Sequence, residues 1–555
     1  TYLQFMVTMA FLKKFSISIT FLSIQPSFAM RSSCNMLNSA RRFQTQRNRY
    51  LNSAFQAMHV TTEQDSMEED TIYALSSGIS TTATAVAVIR ISGPEAHTIL
   101  GRLTPKYVPP RTAVVRNLVD PEDHSPLDQA LVIRFDGPKS FTGEDVVELH
   151  THGSRAVVQG ILNVLGKFAR LAERGEFTQR AFTSGKLNLL EVEALADLLT
   201  ADTKLQRQQA LRQLDGRLSS LYDNWRRLLT KGLAHAEAII DFGDDEHLLG
   251  SDEENNFDYE SEQKSVWGSV SDSMNILLSE IKSHLADDRR GELVREGVKV
   301  AIVGPPNAGK SSLFNILAQR DAAIVSPIEG TTRDILELFL DLGGVRCTLY
   351  DTAGVREETN DVIEREGIRR ARQIAEKANI LVAMIDAEDT DSGILAIKEA
   401  ISQIDMLSRT LLIVNKMDLV NEGAHTHDLS SLQPQASPLG VPHNGTFFLS
   451  CDTNYGIQNF LDGLTSRVLA RVVNPDAPSE ERESALITRV RHRQHLEHVV
   501  DRLERFLTLS SQGSMAIDMA AEELRLATSE IGRITGAVDV EDVLDVLFTD
   551  FCIGK

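Results

Sequence analysis

The sequence predicts a multidomain chain of mixed α/β and α+β class, with an α/β domain inserted into a helical bundle and a small α+β domain ahead of it. Three observations predict this. The run Gly304-Pro305-Pro306-Asn307-Ala308-Gly309-Lys310-Ser311 stands between an apolar strand and an amphipathic helix, the setting a phosphate-binding loop needs. Residues before Lys186 alternate with a strand period, while apolar positions from Leu187 to Arg295, and again from about Pro475, recur at a helical spacing. The 555 residues suit about three to four domains of ordinary size, and 42% apolar composition supplies their cores.

Residues 1–62 contain no Asp or Glu but carry Lys13, Lys14, Arg31, Arg41, Arg42, Arg47 and Arg49. That composition reads as a mitochondrial targeting region addressed to the matrix; the rival is a secretory signal, because Lys13-Lys14 precede an apolar run from Phe15 to Phe28. The chain begins with Thr1, so Met6, Met9 and Met30 are candidate starts. No apolar stretch reaches membrane-spanning length without interruption, so no membrane insertion is expected. Ala85 to Arg90, Ala130 to Phe135 and Val146 to Leu149 read as strands of an α+β domain over 63–186. From Leu187 the stripe Leu189, Leu190, Val192, Leu195, Leu198, Leu199 opens a helical domain, 187–296, continuing through Leu228 to Ile240 and Met274 to Arg295. Asp241 to Gln263 holds ten acidic residues and no Lys or Arg, and is expected to be a solvated loop. The α/β domain occupies 297–471, and helices resume over 472–555.

Within 297–471, Val298 to Val303 reads as a buried parallel strand and Ser312 to Leu317 as the helix whose N-terminus faces phosphates. Gly304 and Gly309 let the backbone approach, Lys310 spans the β- and γ-phosphates, and the Ser311 hydroxyl ligates Mg²⁺. Asp351-Thr352-Ala353-Gly354 follows another strand, placing Asp351 to hold Mg²⁺ through water and the Gly354 N–H at the γ-phosphate. Asn415-Lys416-Met417-Asp418 follows the strand Leu411 to Val414; a carboxylate there accepts from N1–H and the exocyclic amine of guanine, so GTP is expected rather than ATP. Ser450-Cys451-Asp452 closes over the base. In Gly330-Thr331-Thr332-Arg333-Asp334, the first switch, Thr332 is the second Mg²⁺ ligand. Val355 occupies the position where a Ras-type enzyme carries its water-orienting Gln. Asn307 could instead help hold a monovalent cation against the phosphates, and Glu364 either orients water or is a solvated helix residue.

These residues resemble the TrmE/MnmE family of tRNA-modification GTPases. The resemblance also covers Phe141 to His150, Gly175 to Lys186 and the ending Cys552-Ile553-Gly554-Lys555, leaving only the N-terminal extension outside. It implies a Ras-like P-loop GTPase domain, an N-terminal domain that binds a tetrahydrofolate derivative and makes a homodimer, and a flavin-dependent partner of the MnmG/GidA kind acting with it on tRNA. It further implies a GTP site of Asn307, Ala308, Gly309, Lys310, Ser311, Ser312, Thr331, Thr332, Asp351, Thr352, Ala353, Gly354, Asn415, Lys416, Asp418, Ser450 and Cys451. K⁺ would sit with Asn307, Ser326, Ile328 and Thr331, and folate with Arg90, Glu148, Lys186 and Lys555. Without the resemblance, Arg90, Glu148 and Lys186 are ordinary surface charges. Gly78 to Ala85 is less glycine-rich than the family's usual loop. Cys552 is either a nucleophile toward uracil or an orienting residue; the nearby Asp550 raises rather than lowers a thiol pKa.

The implied activity is GTP hydrolysis, catalysed with Asn307, Thr332, Glu364 and Cys552 as candidates, in attaching an aminomethyl-type group to C5 of the wobble uridine. A net charge of −21 argues against a broad basic face, so tRNA contact needs a local patch or a partner. Four scattered cysteines lack metal-site spacing and fit a reducing compartment. A ribosome-assembly GTPase of the Era or EngA kind shares the Val-for-Gln substitution but should carry a basic RNA-binding appendage. A purely regulatory GTP switch is the other alternative.

Overall fold

The computed structural model describes residues 70–78, 84–246, 259–320, 322–323, 336–351, 373–400, 409–420, 445–473, 487–512, 516–538, 541–549, 551 and 553–554. The first sheet joins β1 (Ile72–Leu75), β2 (Val86–Ser92), β3 (Val114–Val119), β4 (Pro126–Phe135), β5 (Val146–His152) and β6 (Arg170–Leu171) in the order β3-β4-β5-β2-β1-β6. Strand alternation gives this sheet two different faces. Ala87, Ile89 and Ile91 of β2 are buried. Ile89 and Ile91 share a core with Val147 and Leu149, and with Ile99 of α1 (Ala96–Leu103) and Ile161 of α2 (Arg155–Leu165). The opposite face carries Ala74, Arg90 and Glu148 in one cross-strand row. Phe177 of α3 (Glu176–Thr183) packs with Ala74 on that face.

The helical region comprises α4 (Leu189–Leu199), α5 (Lys204–Leu214), α6 (Arg217–Glu246), α7 (Tyr259–Leu285) and α8 (Arg290–Glu296). Asn188 and Glu191 form a capping box that starts α4, satisfying N–H groups the first turn leaves unpaired. The helical region departs from two expectations. The helix expected from Met274 to Arg295 is broken, because Asp288 and Arg289 adopt φ of 52° and 58°, a left-handed pair that interrupts the i→i−4 ladder. The acidic segment 241–263 is helical at both ends, as far as Glu246 and from Tyr259, with 247–258 outside the described residues. Extending a nucleated helix costs little, so the packed parts of α6 and α7 carry the helical backbone into the acidic run.

The second sheet joins β7 (Val298–Val303), β8 (Leu336–Leu342), β9 (Val345–Asp351), β10 (Ile380–Asp386), β11 (Thr410–Asn415) and β12 (Thr446–Phe448) in the order β12-β11-β10-β7-β9-β8. All neighbours are parallel except β8 with β9. A parallel sheet buried on both faces needs near-continuous apolar strands, which β10 and β11 supply. On one face lie Leu313 and Leu317 of α9 (Lys310–Ala318) and Phe460 and Leu464 of α12 (Ile457–Val472). On the other lie Ile394 and Ile397 of α10 (Thr390–Ala400).

Past this sheet come α13 (Val490–Ser510), α14 (Ile517–Thr535) and α15 (Glu541–Thr549). Leu496, Val499 and Leu503 of α13 and Leu524, Ala527 and Ile531 of α14 share one core with Tyr222 and Trp225 of α6 and Leu277 and Ile281 of α7. Helices from both sides of the second sheet therefore close a common interior. No helix among the described residues is long and apolar enough to cross a membrane.

Candidate functional site

The strand order of the second sheet reverses at β7, whose neighbours β9 and β10 lie on opposite sides. In such sheets ligands bind beyond the carboxyl ends of the strands at that switch point. The loop after β7 lies there. Gly309 has φ of 98° and caps α9, which begins at Lys310, two residues earlier than expected. A Cβ on Gly304 would stand 2.1 Å from the Met384 carbonyl oxygen and one on Gly309 2.2 Å from Asn415 Nδ2, so glycine is required at both positions. Asn307, exposed, holds φ of 61°.

The loop is braced by the residues expected to serve the nucleotide. Lys310 Nζ donates to the carbonyls of Gly304 and Pro305 at 2.9 and 2.7 Å. Ser311 Oγ donates to Asp351 Oδ2 at 2.9 Å. A hydroxyl and a carboxylate side by side are hard oxygen donors of the kind Mg²⁺ takes. Asn415, 2% exposed, donates from Nδ2 to the Ala308 carbonyl at 2.9 Å and accepts at Oδ1 from the Cys451 N–H at 3.1 Å. This one amide ties the phosphate loop, the end of β11 and the 450–452 segment together. Ser450 is buried and its Oγ accepts from the Thr453 N–H. Burial pushes the Cys451 thiol up to about 11, so it stays protonated at neutral pH. Asp418 lies half-buried in the first turn of α11 (Met417–Val420), and Ser312 is exposed on α9.

The sequence reading missed β10 and with it Asp386, whose Oδ2 lies 2.5 Å from Lys416 Nζ. The apolar run Ile380 to Ile385 was the available signal. Ser326, Ile328, Thr331, Thr332, Thr352, Ala353, Gly354, Glu364, Cys552 and Lys555 lie outside the described residues.

A second cluster lies on the Arg90 face of the first sheet. Arg90 Nη2 and Glu148 Oε1 are 2.9 Å apart, each side chain 19% exposed. The guanidinium carbon also stands 5.3 Å from the Phe141 ring centre and 5.6 Å from that of Phe177. Arg90 and Glu148 were expected as separate contacts; register makes them partners. Lys186 is exposed beside the Phe141–Asp145 loop, its Cε 3.5 Å from the position a Gly143 Cβ would take. The two motif segments are joined by a pair the sequence reading did not single out, Arg180 Nη1 to Glu144 Oε1 at 2.9 Å. Glu144 Oε2 accepts from Ser92 Oγ at 2.6 Å, and Arg180 also reaches Glu176 at 3.0 Å. Burial would raise the Glu176 pKa, but hydrogen bonds from Arg170, the Glu173 N–H and Arg180 hold it below the usual carboxylate range. The chain's end arrives at this sheet: Ile553 bridges Arg174, and Gly554 (φ 96°) packs so tightly on β1 that a Cβ would stand 2.7 Å from the Leu75 carbonyl oxygen.

The family description "GTP-binding protein TrmE N-terminus" matches residues 71–186, and "MnmE helical domain" matches residues 189–552. The chain belongs to the MnmE/TrmE family. Among MnmE/TrmE relatives, the tRNA modification GTPase MnmE of Parvibaculum lavamentivorans is 46% identical over 491 residues, 88% of this chain and 100% of that one. The mitochondrial 5-taurinomethyluridine-[tRNA] synthase subunits GTPB3 of Rattus norvegicus and Homo sapiens are each 44% identical over 497 residues, 87% of this chain and 93% of theirs. Both site clusters fall inside the MnmE/TrmE matches.

Proposed function

We propose that this protein is the GTP-hydrolysing subunit of a mitochondrial enzyme that modifies C5 of the wobble uridine in tRNA. The carrying observation is that the phosphate loop, braced by Asn415 across to Cys451, belongs to a chain matching MnmE/TrmE relatives over nearly nine-tenths of its length. The names of the mammalian relatives favour taurine as the amine and the mitochondrion as the place, and the matrix is part of the same proposal. We read 63–186 as the folate-binding and dimerisation domain, 297–471 as the GTPase domain, and 187–296 with 472–555 as the helical domain into which the GTPase domain is inserted.

In this reading Lys310 leaves the loop carbonyls to contact the β- and γ-phosphates, and the α9 N–H groups receive their oxygens. Ser311, Thr332 and Asp351 would hold Mg²⁺, which would supply positive charge for phosphoryl transfer. Thr331, Thr352, Ala353 and Gly354 line the triphosphate, and Asp418 and Lys416 hold guanine under Ser450 and Cys451. With Val355 unable to orient water, Glu364 would take that role, and Asn307, with Ser326, Ile328 and Thr331, would hold K⁺, which would supply the charge an arginine finger brings.

The Arg90 face would take a tetrahydrofolate derivative. Desolvating two charges can cancel their attraction, so fold stability alone is a weak reason for an Arg90–Glu148 pair with each side chain only 19% exposed. Their opposed charges suit the glutamyl carboxylate and the donor edge of a pterin. Lys186 and Lys555 add cations, and Cys552 orients the one-carbon group or attacks uracil. A flavoprotein partner of the MnmG/GidA kind would complete the enzyme.

The test is mass spectrometry of wobble uridine in mitochondrial tRNA from cells lacking the gene. Unmodified C5 is expected, and full modification in the mutant would overturn the reading.

A further inference from the structure

The seam between α13 and α14 carries a cluster that the GTP and folate readings do not use. His495 and His498, three apart on α13, project from one helix face. Glu530 of α14 faces both: its Oε2 lies 2.6 Å from His495 Nδ1 and 3.5 Å from His498 Nδ1. One ligand atom from each of the three residues falls within 4.8 Å of the others. The other carboxylate oxygen, Oε1, is turned to Arg533 Nη1 at 3.4 Å, which leaves Oε2 directed at the two imidazoles.

We propose that His495, His498 and Glu530 bind a divalent ion of the zinc class and so clamp α13 to α14. Two imidazoles and one carboxylate are the donors that Zn²⁺ and its neighbours Co²⁺ and Ni²⁺ accept, whereas Mg²⁺ prefers oxygen alone. Three protein ligands leave a fourth tetrahedral position for water. His498 is 64% exposed, while His495 and Glu530 are 20% and 15% exposed. Entry from solvent is therefore open at one ligand, and the other two are held by the helix pair. Beneath them Leu496, Val499, Ala527 and Ile531 pack in the helical core. Further along the same seam Arg502 meets Glu523 at 3.2 Å, so the backbone approach does not depend on the ion. To hold a tetrahedral ion, His495 Nδ1 and Glu530 Oε2 must part from 2.6 Å to about 3.3 Å while His498 draws in, which are side-chain movements.

The full chain, stripped with chelator and held in excess Mg²⁺–GDP, would be titrated with CoCl₂ and then ZnCl₂. The expected result is the visible absorption of tetrahedral Co²⁺ saturating at one ion per chain, its loss as Zn²⁺ displaces it, and a raised melting temperature with either ion. His498→Ala, at an exposed position, should still fold and hydrolyse GTP, and Glu530→Gln should retain the helix pair. Each should weaken Co²⁺ binding about tenfold or more and remove the thermal increment. A spectroscopically silent wild type, or a Co²⁺ band that survives both substitutions, would overturn the proposal and leave the trio a hydrogen-bonded contact.

Discussion

Asn415 and Asp418 stand three residues apart, yet they face different tasks. Asn415 spends both ends of its amide on protein groups, fixing the phosphate loop against the 450–452 segment. In the proposed reading Asp418 is the residue that addresses the base. Asp418→Asn should therefore shift preference from GTP toward xanthosine triphosphate, because the exchange inverts the donor and acceptor match. Competition binding would read this, and an unchanged GTP preference removes Asp418 from the base contact. Asn307, exposed at φ of 61°, is proposed to bear on the rate instead. Turnover should be faster in K⁺ than in Na⁺, and Asn307→Ala should abolish the difference while changing nucleotide affinity much less. Equal wild-type rates in the two salts would end the potassium mechanism. The sequence made these residues candidates because a phosphate-binding loop depends on local backbone and short spacing. Asp386 was not, since its pairing with Lys416 depends on β10 lying beside β11.

Packing between helices decides the properties of the helical region. His284, near the end of α7, lies against Tyr222 and Trp225 of α6, its Nε2 3.2 Å from the Tyr222 hydroxyl. Burial holds its pKa down at about 4 from the usual 6.5, with Asp287 opposing and Arg493 and His492 adding to the effect. Between those values the unfolded ring binds a proton that the folded ring refuses. Stability attributable to His284 thus rises with pH through the window and is lost as pH falls toward 4. The slope is at most about 1.4 kcal/mol per pH unit. In urea denaturation across this window His284→Gln should show a shallower pH dependence than wild type; matching slopes would mean the ring titrates normally. Nearby, Glu193 is buried with His492, Arg489 and Arg491 around it. Burial alone would raise its pKa, but these partners bring it well below the ordinary range. Removing one member of such a group leaves buried charge uncompensated at a cost of about 3–5 kcal/mol. Helical spacing announced the helices; it carried no sign of which charges would meet.

Across the molecule, the first and second sheets are each tied to the helical region by a few specific contacts. The turn between β8 and β9, Gly343-Gly344 with φ of 67° and 88°, brings the Gly344 carbonyl to the Leu205 N–H of α5 at 3.1 Å. Arg346 of β9 adds an ion pair to Asp202 at 2.9 Å. At the other end, Leu547, Phe548 and Phe551 pack with Leu189 and Val192 of α4, carrying Ile553 and Gly554 onto the first sheet. Deleting the last four residues removes none of the phosphate-loop or base-segment contacts. The truncated protein should therefore fold and hydrolyse GTP but fail in tRNA modification. Modification at the wild-type rate after truncation would separate the tail from the Arg90 site. Cys552→Ser divides the two roles for the thiol: an orienting residue keeps substantial modification, whereas an attacking thiolate loses nearly all of it.

By itself the sequence determined the local devices: the glycine positions of the phosphate loop, the strand and helix periods, and the motifs around Phe141, Gly175 and Cys552. Each depends on residues a few positions apart, where backbone geometry and side-chain period act directly. Only the tertiary structure decided that Arg90 faces Glu148, that Arg180 reaches Glu144 from the next motif, and that Gly554 closes on Leu75. Those meetings follow from strand register and from helices hundreds of residues apart sharing one core. The physical reason is that burial sets which faces must pack together, while the opposite charges they bring into contact carry no periodic trace along the chain.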